Sequence, residues 1–290
     1  MSRMEFPMSF DSLPADSLLS TPGAALADPL SVAIQARDRD VIKMVERAVA
    51  DDNVMLAFQP IVPSGRHDRP AFYEGLIRLL DDSGRIIPAK DFISHVEERE
   101  LGRRIDCLSI KYGLETLRQR PKLRLSINLS ARSIGYTPWL DALDRGLLAD
   151  PTIGERLILE ITESSAITVP QAVGEFIDTY QRRGVSFAID DFGSGYTSMR
   201  YLKDLYFDIL KIDGQFIRGI ADSPDNQALV KAIVSIGRHF DMVTIAEQVE
   251  SARDAEMLHD IDVDCLQGYY FGAPTIRPRW EPCEQESQVG

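Results

Sequence analysis

Several apolar runs in this chain carry a polar side chain where a strand would bury it, and those residues define the chemistry to be explained. Glu74 stands near the start of YEGLIRL, with Arg78 four residues on. Asn128 closes LRLSIN, and Glu160 lies within LILEIT with Glu163 three residues later. The adjacent pair Asp190 and Asp191 precedes FGSGYTS, Lys211 and Asp213 close DILKID, Glu247 closes VTIAE, and Gln267 follows CL. Singly, each reads as a solvated edge or a helix cap. Together they place many carboxylates at the ends of apolar strands, where burial is costly without a counter-charge or a metal. A metal centre resolves the repulsion. No histidine stands at a strand end and the cysteines Cys107, Cys265 and Cys283 are scattered, so the oxygen-rich set suits Mg²⁺ or Mn²⁺ and not zinc. Two such ions about 3.5–4 Å apart, bridged by a carboxylate, are an arrangement for phosphoester hydrolysis. Asp190 and Asp191 suit the bridge, provided the strand breaks there, because neighbouring strand residues otherwise face opposite ways. Gly193 and Gly195 are expected to permit that break.

The elements that must position these residues follow from the pattern. Strand-like runs cover 56–62, 73–79, 123–129, 156–162, 185–189, 208–212, 242–246 and 264–266. Helical patterns separate most of them, over 89–99, 103–120, 170–183, 224–239 and 251–260. Eight strands alternating with helices predict an α/β fold, a TIM-like (β/α)8 barrel whose C-terminal face gathers groups from several strands. The first two strands lie too close in sequence for a helical crossover, which predicts one irregular or antiparallel pairing there. GSGYTS at 193–198 nearly matches a dinucleotide-binding loop, but it ends in Ser198 and follows two aspartates that would repel a pyrophosphate.

Composition narrows the class. The 290 residues carry 32 Lys+Arg against 45 Asp+Glu, a formal charge of −13, with 44% hydrophobic residues. Such values fit a globular chain, and the acidity argues against non-specific binding to DNA, RNA or anionic lipid. No apolar run reaches the ~18–20 residues of a membrane span, and no signal peptide pattern opens the chain, so a cytoplasmic protein is expected. Residues 1–37, with six serines and four prolines, read as a flexible leader with a short helical piece at 29–37. One domain over 38–278 and a polar tail over 279–290 complete the expected organisation.

The ordered set FQPIV (58–62), EGLIR (74–78), INLS (127–130), LEITE (159–163), DDFGSGYTS (190–198), LKID (210–213), AEQVE (246–250) and QGYYFGAP (267–274) resembles the EAL-domain cyclic-di-GMP phosphodiesterases. The resemblance is collinear across 38–278. It implies a (β/α)8 barrel with one antiparallel strand, and hydrolysis of the bacterial second messenger cyclic di-GMP to linear pGpG with two divalent cations, Mg²⁺ or Mn²⁺. By motif, Glu74, Asn128, Glu160 and Asp190 resemble ligands of one ion, and Asp190 and Asp191 serve the second, with Glu247 beside it. Lys211 resembles the lysine that holds the attacking water, Glu247 an acid sometimes assigned as the general base, and Glu163 the glutamate that braces the DDFGSGYTS loop. Gln59, Arg78 and Gln267 resemble substrate-side residues, Arg78 as a phosphate contact, and Glu250 an acid behind the ligands. Two positions depart from the family pattern: Gly75 replaces alanine in E-A-L, and Gln248 replaces glycine in A-E-G-V-E. Gly75 is expected to loosen Glu74, and Gln248 to crowd Glu247.

The resemblance also implies a homodimer near the DDFGSGYTS loop. With no G-G-D-E-F motif and a leader too short for a sensor domain, regulation is expected through oligomerisation, a protein partner or the leader. Two rival readings remain: a catalytically weak or inactive receptor that binds cyclic di-GMP without cleaving it, and an esterase for another phosphodiester.

Overall fold

A computed structural model describes residues 29–195 and 202–278. The expected leader up to residue 28, Tyr196, Thr197 and Ser198 of the Gly-rich motif, and the tail with Cys283 lie outside the described residues. Residues 1–39 and 40–290 are separate compact units. From Pro29 the chain is helical, and this helix, α1 (Pro29–Ala50), continues well past the expected boundary at residue 37.

The order of elements is β1 (Val54–Pro63), β2 (Phe72–Leu80), β3 (Ile86–Pro88), α2 (Ile93–Val96), α3 (Glu100–Gln119), β4 (Leu125–Asn128), α4 (Thr137–Ala149), β5 (Leu157–Thr162), α5 (Glu163–Thr168), α6 (Pro170–Gln181), β6 (Ser186–Phe192), β7 (Ile209–Ile212), α7 (Gly214–Ile217), α8 (Pro224–His239), β8 (Val243–Ala246), α9 (Ala252–Asp260) and β9 (Cys265–Gln267). Sheet order is β1-β9-β8-β7-β6-β5-β4-β2-β3, and β1 also pairs with β2, so eight strands close into a barrel with β3 outside it. β1 runs antiparallel to both β2 and β9, and the strands from β2 through β4 to β9 are mutually parallel. The short link between β1 and β2 forces this, since a hairpin reverses direction and a parallel return needs a crossover.

All eight expected barrel strands are present. β3 was not foreseen: its three residues extend the β1–β2 hairpin beyond the barrel rim. The helix expected over 89–99 is broken at Phe92, whose backbone leaves the helical region (φ −139°) while its ring is fully buried. Local sequence signals mark the start of α8. Pro224 occupies the first turn of α8, and the Ser223 hydroxyl accepts the Asn226 N–H at 3.4 Å, the usual device for satisfying a helix start.

The larger apolar core lies between the barrel wall and the helices. A smaller layer of Ile61, Phe72, Ile158, Ala188, Ile209, Ile245 and Cys265 plugs the barrel interior, completed by Ser126, which is fully buried. This plug is the floor on which the polar site stands.

Candidate active site

Strand periodicity explains the site. Side chains two residues apart share a face, and two residues beyond each plug residue the face turns polar. From Phe72 the step leads to Glu74, from Ser126 to Asn128, from Ile158 to Glu160, and from Ala188 to Asp190. From Ile209 it leads to Lys211, from Ile245 to Glu247, and from Cys265 to Gln267. Because β1 is antiparallel, its step runs backwards, from Ile61 to Gln59. Each of the eight barrel strands therefore supplies one polar side chain to a single layer.

Lys211 is the centre of that layer. It is 1% exposed, and its Nζ lies 2.8 Å from Glu160 Oε2, 2.9 Å from Asp190 Oδ1, 2.8 Å from Glu247 Oε1 and 3.9 Å from Glu74 Oε2. Burial alone would lower its pKa, but Asp190, Glu160, Glu247 and Glu74 hold it well above the ordinary lysine value. Glu74 is fixed from its other side: Asn128 Nδ2 donates to Oε1 at 2.8 Å and Gln267 Nε2 to Oε2 at 2.6 Å. Gln267 Nε2 also reaches Gln59 Oε1 at 3.2 Å, and Gln59 donates to the Gly272 carbonyl at 3.2 Å. Burial raises the Glu160 carboxyl to about 8 against the pull of Lys211. Burial, then Asp190 and Asp213, raise Asp191 to about 6.

Asp190 and Asp191 do reach one site. The β6–β7 register shifts between Ile189 and Phe192, and Asp191 takes φ +54°. The break falls at Asp191 and at Gly193 (φ +91°); Gly195 is not in the left-handed region. Glu163, at the start of α5 and 4% exposed, accepts the Gly193 N–H through Oε2 at 2.8 Å, which ties down the turn.

Glu74 does not sit at a strand end. β2 continues past it to Leu80, and Leu76, Arg78 and the β3 residue Pro88 form the wall of a cavity of about 640 Å³. Gln59, Glu74, Glu247 and Gln267 open into this cavity, as do Lys90, Arg218, Gln248, Glu250 and Tyr269. Glu250 is exposed at the wall, not packed behind the cluster. The sequence reading missed Lys90, Arg218 and Tyr269. Lys90 and Arg218 carry no apolar-strand signal, and they belong to the site only because β3 and α7 bring their loops to the barrel mouth.

The two departures behave differently from expectation. Gly75 is not loose: its backbone is paired with Phe58 on one side and Ile127 on the other. A β-carbon there would meet Ile127 Cδ1 at 2.7 Å. Gln248 turns away onto Gly214 and accepts a hydrogen bond from Arg218 Nη2.

The donor set fits hard divalent cations. Carboxylate oxygens of Asp190, Asp191 and Glu247 lie within 4.8 Å of one another, and Glu160 Oε1 and Gln267 Oε1 are buried without a hydrogen-bond partner. Unpaired buried oxygens beside a carboxylate cluster are what an oxygen-seeking ion would satisfy.

Residues 42–274 match the sequence profile of the EAL domain. The chain is 31% identical over 245 residues to the cyclic di-GMP phosphodiesterase PdeB of Shewanella oneidensis, covering 83% of this chain and 28% of that protein. It is 31% identical over 248 residues to the cyclic di-GMP phosphodiesterase PdeF of Escherichia coli, covering 83% and 33%. The chain thus spans about a third of the length of these curated relatives. Among solved structures, the PaMucR phosphodiesterase in complex with c-di-GMP superposes with a TM-score of 0.71 at 29% identity, over 81% of this chain and 97% of that one. The FimX EAL domain of Pseudomonas aeruginosa bound to c-di-GMP gives 0.72 at 28%, over 81% and 96%.

Proposed function

Because the chain belongs to the EAL-domain family, we propose that it is a metal-dependent phosphodiesterase that hydrolyses cyclic di-GMP to linear pGpG. The observation that carries this reading is the closed polar layer: Glu74, Glu160, Asp190 and Glu247 gathered around Lys211 Nζ, beside a cavity into which Arg78 projects.

Glu74, Asn128, Glu160 and Asp190 would hold one Mg²⁺ or Mn²⁺, and Asp190, Asp191 and Glu247 the other. Bound there, the ions would supply Lewis-acid activation of water and neutralisation of phosphoryl charge. The protein's own groups do the positioning. Lys211, fixed by three carboxylates, presents a buried ammonium held in a defined position. Arg78, whose pKa is lowered by burial, places a guanidinium against phosphate oxygens. Glu247, or a neighbouring carboxylate, accepts the water's proton. Gln267, itself hydrogen-bonded to Gln59, holds Glu74 in place; Gln59 and Gln267 meet the ligand, while Glu163 keeps the Asp190–Gly193 turn in register. The exposed Tyr269 ring offers a face for base stacking.

Turnover of cyclic di-GMP with Mg²⁺ or Mn²⁺, followed by chromatography of pGpG, tests the reading. Glu74→Ala and Asp190→Asn should each reduce kcat by at least about 10³-fold. Robust turnover in both variants, or in excess EDTA, would overturn it. A receptor that binds without cleaving has one observation in its favour: Lys211 partly balances the cluster without ions. Tight binding in EDTA with no product in Mg²⁺ selects that reading instead. A homodimer through the region around 190–198 belongs to the same proposal, and light scattering of the purified chain tests it.

A further inference from the structure

The cavity holds more positive charge than the carboxylate layer uses. Arg78, Lys90 and Arg218 all line it, and none of the three makes an ion pair among the described residues. Lys90 is exposed, with no hydrogen bond to its ammonium among the described residues. Arg218 is different, because three features aim it.

Gln248 adopts φ +56°, a conformation that costs free energy for any residue with a β-carbon and that persists where surrounding structure enforces it. Its side chain lies over Gly214, in the space that a β-carbon at 214 would take from the carboxamide. In that position Gln248 Oε1 accepts from Arg218 Nη2. A strained backbone, a cleared floor and a hydrogen bond thus fix one guanidinium at the cavity wall, with no second hydrogen bond to it among the described residues. Holding the group in advance reduces the entropy lost when it binds a ligand.

We propose that Arg218, held by Gln248 over Gly214, binds the second phosphodiester of a two-phosphate ligand, the one remote from the carboxylate layer. This rests on the cyclic di-GMP reading above. With one phosphodiester at the carboxylates and their ions, the ring presents its other phosphate elsewhere in the cavity. A phosphate diester removed from water requires donors and charge, and a guanidinium supplies both in planar, two-point form. Gln248 is the positioning residue and Arg218 the ligand contact.

The two phosphorus atoms of cyclic di-GMP are equivalent by symmetry in solution and become distinct when bound, so ³¹P NMR reads them separately. The full chain in Ca²⁺, with the ligand checked by chromatography to be intact, should show two bound resonances. Trace Mn²⁺ broadens the one nearer the ions. Arg218→Ala should shift the other resonance and weaken binding by calorimetry about 10-fold, with partial recovery in Arg218→Lys. Gln248→Gly should raise the melting temperature by about 2 °C while weakening binding about threefold. Unchanged affinity in Arg218→Ala, or a shift confined to the Mn²⁺-broadened resonance, would overturn the assignment and leave the phosphodiesterase reading intact. If the wild-type chain binds no cyclic di-GMP, both fall together.

Discussion

Lys211 is an internal counter-ion as well as a candidate catalytic group. Removing one partner of a buried charge cluster leaves the rest uncompensated, at a cost of about 3–5 kcal/mol. Lys211→Met should therefore lower stability by that order in EDTA, and Mg²⁺ or Mn²⁺ should restore much more of it than in the wild type. Thermal unfolding with and without metal checks this, and a variant indifferent to cations would contradict the ion assignment. Asp106 in α3 poses a different electrostatic problem. Its Oδ2 accepts the Ser133 hydroxyl at 2.6 Å, in the loop that follows Asn128. Burial still raises its pKa to about 7. A carboxyl with a raised folded-state pKa stabilises the protein below its unfolded pKa near 4 and loses that contribution as pH rises to about 7. Wild-type stability should fall by roughly 2–4 kcal/mol across that window. Asp106→Asn, which can still accept from Ser133, should reduce this slope in urea unfolding, leaving the part due to Asp191 and Glu160, and be the more stable protein at pH 8.

At the scale of elements, the turn after β6 and the middle of β2 each hold a glycine that a side chain could not replace without displacing a neighbour. Gly193 combines φ +91° with a β-carbon site 2.7 Å from the Phe216 ring. Gly193→Ala should cost about 2 kcal/mol and reduce metal affinity by displacing Asp191, which isothermal titration would register. Gly75 and Ile127 are a matched pair across β2 and β4. Gly75→Ala alone overpacks the wall and should destabilise by about 1–2 kcal/mol. Ile127→Val removes the Cδ1 atom in the way, so the double variant should recover about 1 kcal/mol relative to additivity. Strict additivity in denaturant melts would show that the wall yields elsewhere. The replacement of alanine by glycine in this motif is thus accounted for by packing, not by mobility of Glu74.

For the molecule as a whole, the formal charge of −13 conflicts with an anionic ligand only while the site is considered without ions. In the proposed loaded site, two divalent cations together with Lys211 and Arg78 would outweigh the carboxylates of Glu74, Glu160, Asp190, Asp191 and Glu247, because bound ions invert local electrostatics. The metal-free chain should therefore bind cyclic di-GMP at least about 10-fold more weakly than the metal-loaded chain. Calorimetry in EDTA against Ca²⁺ measures the difference, and equal affinities would favour the receptor reading. No helix among the described residues is long and apolar enough to cross a membrane.

Short apolar runs separated by helical patterns made the barrel strands readable directly, because strands buried on both faces read as continuous apolar stretches. The polar layer was readable as the polar side chains within or closing those runs, Glu160 in LILEIT and Lys211 in DILKID; that each stands two residues beyond a plug residue is visible only in the structure. The antiparallel start followed from the short β1–β2 connection. Other features depend on groups distant in sequence. That Lys211, and not a metal ligand, occupies the centre of the layer follows from eight strands converging on one axis. Asp190 and Asp191 share a face because the β6–β7 register slips at Asp191, where the sequence pointed only to the glycines beyond. Arg218 and Lys90 enter the cavity because the closed barrel brings the loops after β7 and β3 to the same rim. Local periodicity selects which face a side chain takes, but ring closure alone decides which faces meet.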